Sequence, residues 1–232
     1  MKAIILAAGK GSNLNPFSNT RPIPMISVAG KTLLDNSLCQ LKNAGINDVY
    51  IVVGHHKERI QELVAEKSDA GMNIHCLEQK NNGIGDAILQ VKKKISPGEY
   101  FLLIYGDTLT DENIYSKAQQ SFHSFKCPVA SICLPPSNES FGNVFLNAQM
   151  KINKIVEKPK RGRNFGNYVL AGVFILPESF FDLLKKNKRS MEKSLQMMAK
   201  DGDLMASMWE SEWLDIVYPW EILQANKIIL DS

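Results

Sequence analysis

Residues 3–16, Ala-Ile-Ile-Leu-Ala-Ala-Gly-Lys-Gly-Ser-Asn-Leu-Asn-Pro, carry a short apolar run directly into a loop punctuated by Gly9 and Gly11. A run of this length bounded by glycines reads as a buried strand. A glycine loop leaving such a strand lets the backbone approach an anion closely, and a helix N-terminus beyond it would favour negative charge. The same glycines also suit a plain tight turn, so the loop alone leaves both readings open. Two better-known phosphate motifs are excluded. Gly9-Lys10-Gly11 begins a G-x-G-x-x-G fingerprint, but residue 14 is leucine, so the third glycine is missing. Gly30-Lys31-Thr32 ends like a P-loop, yet the required first glycine falls at Met25.

Further apolar runs rich in β-branched and aromatic residues at 49–53, 74–77, 100–105, 129–134, 144–146 and 170–176 predict strands. Between the early ones lie helical patterns: Leu34, Leu38 and Leu41 on one face, then Ala87, Ile88, Val91 and Ile95 opposite Lys92, Lys93 and Lys94. Strand alternating with helix implies parallel βαβ units. The strand-like segments crowded around Pro135-Pro136 and Lys158-Pro159 in the second half imply an antiparallel addition. The expected fold is α/β, a Rossmann-like, mostly parallel mixed sheet flanked by helices, forming a single domain over residues 1–232. Ligands on such sheets lie beyond the carboxyl ends of the strands, which selects residues 8–15, 54–57, 78–85 and 106–110 as one rim.

The formal net charge of +3 is small and evenly spread, which argues against a nucleic-acid partner. Cys39, Cys76, Cys127 and Cys133 show no C-x-x-C spacing and predict buried free thiols rather than a zinc or redox site. The N-terminal apolar run is shorter than a signal segment or a membrane span, so a cytoplasmic protein without a membrane partner is expected. His55-His56 invites a metal reading, but adjacent side chains diverge, and exposed loop histidines are expected instead. Nothing resembles hexapeptide β-helix repeats. Gly106-Asp107 places a carboxylate at a strand's carboxyl end, where it can hold Mg²⁺ with substrate phosphates completing the shell; a turn or cap role is the alternative.

Taken in order, these segments resemble the sugar-1-phosphate nucleotidyltransferase family, of the glucose-1-phosphate thymidylyltransferase and N-acetylglucosamine-1-phosphate uridyltransferase type. The resemblance rests on residues 6–11, on Pro22 to Lys31, on Gln79 with residues 83–87, on Gly106-Asp107, on Phe141-Gly142-Asn143-Val144, on Val156-Glu157-Lys158-Pro159, on residues 167–172, and on Trp213-Leu214-Asp215-Ile216 with Pro219-Trp220. The tail from Trp213 to Asn226 looks most like archaeal relatives that usually continue into an acetyltransferase β-helix, and this chain stops before one would begin. The resemblance implies a sugar-1-phosphate oxygen attacking the α-phosphorus of an NTP. It implies Asp107 and Asp215 as Mg²⁺ ligands, Lys158 on the sugar phosphate and Glu157 on the sugar hydroxyls. Gln79 and Gly83 would read the base, Gly142 and Asn167 the sugar, and the backbone at Ala8, Gly9 and Gly11 would hold the nucleotide. By their residues alone, Glu157-Lys158 also fit an exposed charged pair and Asp215 a surface residue beside a core Trp213.

Against the family pattern, Asn13 stands where relatives carry arginine, and Ile23 where they carry lysine between two prolines. In relatives those cations clamp the phosphates. Ile84 replaces a frequent threonine, Gly85 follows it, and Thr32 replaces a proline after Gly30-Lys31. Lys10, Arg21 and Lys31 remain nearby. Two readings follow: an enzyme with a rewired clamp, or a catalytically silent homologue that binds a nucleotide-sugar and regulates an active paralogue. Relatives often form homo-oligomers, but no interface is legible in the sequence.

Overall fold

The alternation within the first strand assigns its side chains to two cores. In β1 (Lys2–Ala7), Ala3, Ile5 and Ala7 face one side of the sheet and Ile4 the other, all essentially inaccessible to solvent, as a strand covered on both faces requires. The computed structural model describes residues 1–67, 71–134, 142–156 and 167–231. β1 is followed by the two-residue hairpin strands β2 (Ser27–Val28) and β3 (Lys31–Thr32), helix α1 (Leu33–Asn43), β4 (Asp48–Val53), α2 (Lys57–Glu66), β5 (Asn73–Glu78), α3 (Ile84–Leu89), β6 (Tyr100–Tyr105), β7 (Thr108–Thr110) and α4 (Ile114–Phe125). The second half contains β8 (Val129–Cys133), β9 (Asn143–Leu146), β10 (Ile152–Val156), β11 (Tyr168–Pro177), α5 (Phe180–Lys186), α6 (Met191–Asp201), β12 (Met205–Met208), β13 (Trp213–Asp215) and α7 (Pro219–Asp231).

One mixed sheet of nine strands runs β10-β9-β11-β6-β1-β4-β5, with β8 on the other edge of β11 and β12 beside β8. β1 pairs in parallel with both β4 and β6, and β4 with β5. The parallel reading of the first half therefore holds. β11 is antiparallel to β6, β8 and β9, and β9 to β10, which is the expected antiparallel addition; Pro135, Pro136, Lys158 and Pro159 themselves lie outside the described residues. Successive strands step from β1 outward to β4 and β5, and then β6 returns to the opposite side of β1. That reversal opens a crevice at the carboxyl ends of β1 and β6.

One core packs Ile5, Ile51 and Ile104 beneath α1, α2 and α4, and the other packs Ile4, Phe101 and Phe174 beneath α3, α5 and α6. A third, smaller cluster joins Leu14, Ile26, Val28 and Leu33 to Leu109, Leu214, Ile216 and Ala225, with Ile23 against it. This cluster fastens the glycine loop and its sequel to β7, β13 and α7. Asn226 Oδ1 adds a hydrogen bond from the Ala29 backbone N–H at 2.8 Å.

Three expectations are revised. Ala87, Ile88, Val91 and Ile95 are buried together as anticipated, but the helix ends at Leu89 and a separate 3₁₀ turn, Lys92–Lys94, brings Ile95 to the core in extended conformation before Ser96-Pro97-Gly98. All four cysteines are free, yet only Cys133 is buried, Cys39 lying on the outer face of α1. Thr32 has a local reason to be threonine. Its Oγ1 accepts from Asp35 N at 3.0 Å and Asp35 Oδ2 accepts from Thr32 N at 3.1 Å, a complete capping box at the start of α1. Among the described residues, no helix is long and apolar enough to cross a membrane.

Thr32→Ala removes this cap and is expected to cost about 1 kcal/mol of unfolding free energy. Urea denaturation followed by circular dichroism reads it as a lower midpoint with an unchanged m-value.

Candidate functional site

The carboxyl ends of β1, β4, β5 and β6 surround a cleft of about 790 Å³ lined by Ala8, Gly9, Lys10, Gly54, His55, Gln79, Lys80, Gly83, Ile84, Gly106 and Asp107, with Ile23 and Pro24 on one wall. All four predicted rim segments reach it. Lys10 and Lys80 are exposed at its edge. Gly106 has to be glycine: its backbone N–H donates to Leu6 O at 3.0 Å, and a Cβ there would sit 2.6 Å from that carbonyl oxygen and 2.9 Å from the Pro24 ring. Only a residue without a side chain lets the turn after β6 lie across the end of β1, and that turn aims Asp107 into the cleft.

Asp215 comes to Asp107 through β-pairing. β7 and β13 form an antiparallel pair with Asp215 opposite Thr108, and Ile216 N donates to Asp107 O at 2.9 Å. Trp213 Nε1 donates to Ala171 O at 3.1 Å and ties β13 to the main sheet. On the far side, Glu221 accepts the backbone N–H groups of Val217 and, at 2.7 Å, of Tyr218, closing the turn after Asp215. Oδ1 of Asp107 and Oδ1 of Asp215 are both buried with no hydrogen-bond partner among the described residues. Burial pushes the Asp107 carboxyl above its ordinary value. Burial, and then the neighbouring Asp107 charge, hold Asp215 well above its own. The thiol of Cys133, buried and beside Asp215, is pushed up to about 12 and stays neutral. Two adjacent acids, each with an orphaned oxygen and with no cation paired to them among the described residues, form a donor set suited to a hard divalent ion.

Gln79 Nε2 donates to Gly83 O at 2.9 Å and to Asn81 O, so this side chain folds the rim between β5 and α3. The Gly11 carbonyl accepts from Ser18 Oγ and from Leu14 N. Gly11 is covered by Ile23, whose Cγ1 would lie 2.7 Å from any Cβ at Gly11. Asn13 is exposed. Gly142 immediately precedes β9, where its carbonyl accepts from Leu170 N of β11, and Asn167 immediately precedes β11; neither is among the residues lining the cleft. Glu157 and Lys158 lie outside the described residues. His55 and His56 are part-buried rather than exposed, and their ring N–H groups donate to Ser18 O and Asn19 O at 3.0 and 2.9 Å. They brace the segment after the glycine loop, a role that adjacent histidines do not announce in sequence. Among the described residues no group of three or more His, Cys, Asp or Glu side chains is placed to hold a metal; the acid pair is the candidate.

A glycine loop and an acid pair at the switch point of a mostly parallel sheet define an α/β protein with a cleft at the carboxyl ends of its strands. Comparison with known proteins makes this specific: the Nucleotidyl transferase family profile matches residues 2–232, and the chain belongs to that family. It is 31% identical over 238 residues to the bifunctional protein GlmU of Methanococcus maripaludis, covering all of this chain and 55% of that protein. It is 29% identical over 246 residues to the bifunctional sugar-1-phosphate nucleotidylyltransferase/acetyltransferase of Sulfurisphaera tokodaii, covering all of this chain and 56% of that protein. The chain thus spans a little over half the length of these relatives. A crystal structure assigned as a glucose-1-phosphate thymidylyltransferase of Bacillus anthracis superposes with a TM-score of 0.90 at 22% identity, covering 100% of this chain and 96% of that one, and shows the same fold.

Because both acids bind protons more tightly when folded, the pair lowers the stability of the metal-free protein as pH rises above the ordinary carboxylate value of 3.8 and through the raised native values. Asp215→Asn should therefore raise the metal-free melting temperature near pH 7.5, by about 2–4 °C for each kcal/mol of strain relieved. The gain should shrink toward pH 4, and stabilisation by added Mg²⁺ should disappear. Differential scanning fluorimetry with and without Mg²⁺ checks all three.

Proposed function

We propose that this chain is a sugar-1-phosphate nucleotidyltransferase. An anionic oxygen of the sugar phosphate forms a bond to the α-phosphorus of an NTP, the bond from that phosphorus to the β-phosphate oxygen breaks, and its electron pair leaves with pyrophosphate. The nucleophile is already ionised, so no general base is required; positioning and charge neutralisation carry the catalysis. The observation supporting this most strongly is the Asp107–Asp215 pair, each with a buried unpartnered oxygen, of which Asp107 lines the cleft together with Ala8 and Gly9 while Asp215 lies behind it.

Asp107 and Asp215 fit a Mg²⁺ ion, which when bound would offset the repulsion between phosphate oxygens and the attacking anion. The backbone at Ala8 and Gly9 lines the cleft and would offer N–H groups to the phosphates, with Lys10 and Lys80 adding positive charge at its edge; Gly11 lies outside the lining and by the family pattern would complete the loop. Gln79 and Gly83 form the wall against the base. By the family pattern, Lys158 would contact the sugar phosphate, Glu157 the sugar hydroxyls, and Gly142 and Asn167 the sugar ring. Base and sugar identity are left to experiment. The fold and the absence of a membrane-crossing helix among the described residues agree with the cytoplasmic assignment, which remains part of this proposal.

A second reading rests on Ile23. Where relatives present a lysine, this side chain packs over Gly11 and against the third hydrophobic cluster, and an alkyl group cannot bind phosphate. Losing one charge-assisted donor at a reaction centre costs on the order of 2–4 kcal/mol, or a hundred- to a thousandfold in rate. Asn13 removes a second such group. With both gone, the chain becomes a nucleotide-sugar-binding homologue acting on an active paralogue.

Pyrophosphate release from a matrix of NTPs and sugar-1-phosphates with Mg²⁺ separates the two. The enzyme reading expects at least one productive pair, slow but well above the no-enzyme control. Silence across the matrix together with calorimetric binding of a nucleotide-sugar establishes the second. Asn13→Arg combined with Ile23→Lys should then raise turnover by about tenfold or more if those charges alone are lacking. No gain would mean that other parts of the site have diverged.

A further inference from the structure

The turn between α5 and α6 is far from the cleft in sequence and strained in backbone. Lys188 and Arg189 are consecutive non-glycine residues in the left-handed region, with φ of 53° and 63°. That conformation costs about 1–2 kcal/mol per residue, and such strain persists where surrounding structure over-determines it. Here the turn is held by Lys188 N donating to Lys185 O at 3.2 Å, Arg189 N to Leu184 O at 2.7 Å and Ser190 N to Asn187 O at 3.0 Å.

What the strained turn does is press on the cleft rim from behind. The Arg189 carbonyl lies so close to Gly85 that any Cβ at that position would overlap it, which accounts for the glycine that departs from the family pattern. The Arg189 guanidinium pairs through Nη1 with Asp86 Oδ1, and Asp86 is mostly buried, its side chain 15% exposed. The same Oδ1 accepts a long hydrogen bond from Asn81 Nδ2 at 3.4 Å. Asn81 and Gly83 are in turn folded together by Gln79 Nε2. Gln79, Asn81, Gly83 and Ile84 line the cleft, whereas Asp86 and Arg189 do not. A continuous set of contacts therefore runs from Arg189 through Asp86 and Gly85 to the wall between β5 and α3.

We propose that Arg189 is a positioning residue for nucleoside recognition: its carbonyl on Gly85 and its guanidinium on Asp86 fix residues 79–85 in the shape that receives the base. This rests on the nucleotide reading of the cleft. Arg189 acts on the wall and not on the phosphates, so its loss weakens recognition of the nucleoside while leaving the acid pair and the glycine loop intact.

The test compares Arg189→Gly, Arg189→Lys and Asp86→Asn with wild type, using UTP and dTTP with Mg²⁺ as nucleotide probes and Mg²⁺-pyrophosphate as a phosphate-only probe in calorimetry. Arg189→Gly relieves the left-handed strain while losing a half-exposed ion pair, so its melting temperature should stay within about 3 °C of wild type. Its affinity for whichever nucleotide the wild type prefers should fall about 3- to 30-fold, with pyrophosphate binding unchanged. Asp86→Asn, which keeps the backbone, should shift affinity in the same direction, and Arg189→Lys should recover part of the loss. Nucleotide affinity at the wild-type level in Arg189→Gly and Asp86→Asn would overturn the inference, as would equal loss of nucleotide and pyrophosphate binding. A wild-type protein that binds neither nucleotide would overturn the reading of the cleft and this inference with it.

Discussion

Two carboxyl groups brought side by side in a water-poor corner are unfavourable unless something positive joins them, and much of the molecule is arranged around that fact. Asp107 and Asp215 are held together by backbone pairing between β7 and β13, so neither can swing away to relieve its partner. Their carboxyls remain protonated more readily than free ones because burial and mutual repulsion both penalise ionisation. With no compensating cation among the described residues, such a pair makes the fold less stable than a hydrogen-bonded amide would there. Under the proposed function, a cation and a polyphosphate bound together account for that cost.

The third hydrophobic cluster gives the pair its rigidity. Leu109 lies within β7, two residues after Asp107, and Leu214 and Ile216 flank Asp215; the same cluster contains Leu14 from the glycine loop and Ile26, Val28 and Leu33 from its sequel. Phosphate loop and acid pair are thus packed on common apolar residues, with α7 as the outer cover. Ile23 belongs to this arrangement: its side chain packs against the third cluster, which explains how an apolar residue is accommodated at the edge of the cleft. Adding charge there would remove apolar contact from the cluster, so electrostatic gain and packing loss are linked at one position.

Much of the fold was legible because strands buried on both faces leave long apolar runs, and the runs at 49–53, 100–105 and 170–176 became β4, β6 and β11 within a few residues. The short strands escaped notice for the opposite reason. β7, β12 and β13 are three or four residues long, and segments of that size owe their conformation to neighbours. Thr32 and Gly85 looked like departures of chemical consequence, but one caps a helix and the other makes room for a carbonyl; only contacts could show this. His55 and His56, read as exposed, are half-buried props for a loop, since their acceptors lie at Ser18 and Asn19.

The chain's local chemistry determined the strand order of types, the glycine loop at the end of β1 and the placement of Asp107 after β6, because apolar periodicity and glycine act within a few residues. Tertiary structure decided which distant groups meet: Asp215 beside Asp107, Ile23 over Gly11 and Arg189 against Gly85. Those meetings depend on the reversal of strand order at β1 and on β13 finding β7. Such long-range pairings are selected by the packing of the whole chain and leave no periodic trace in any one segment.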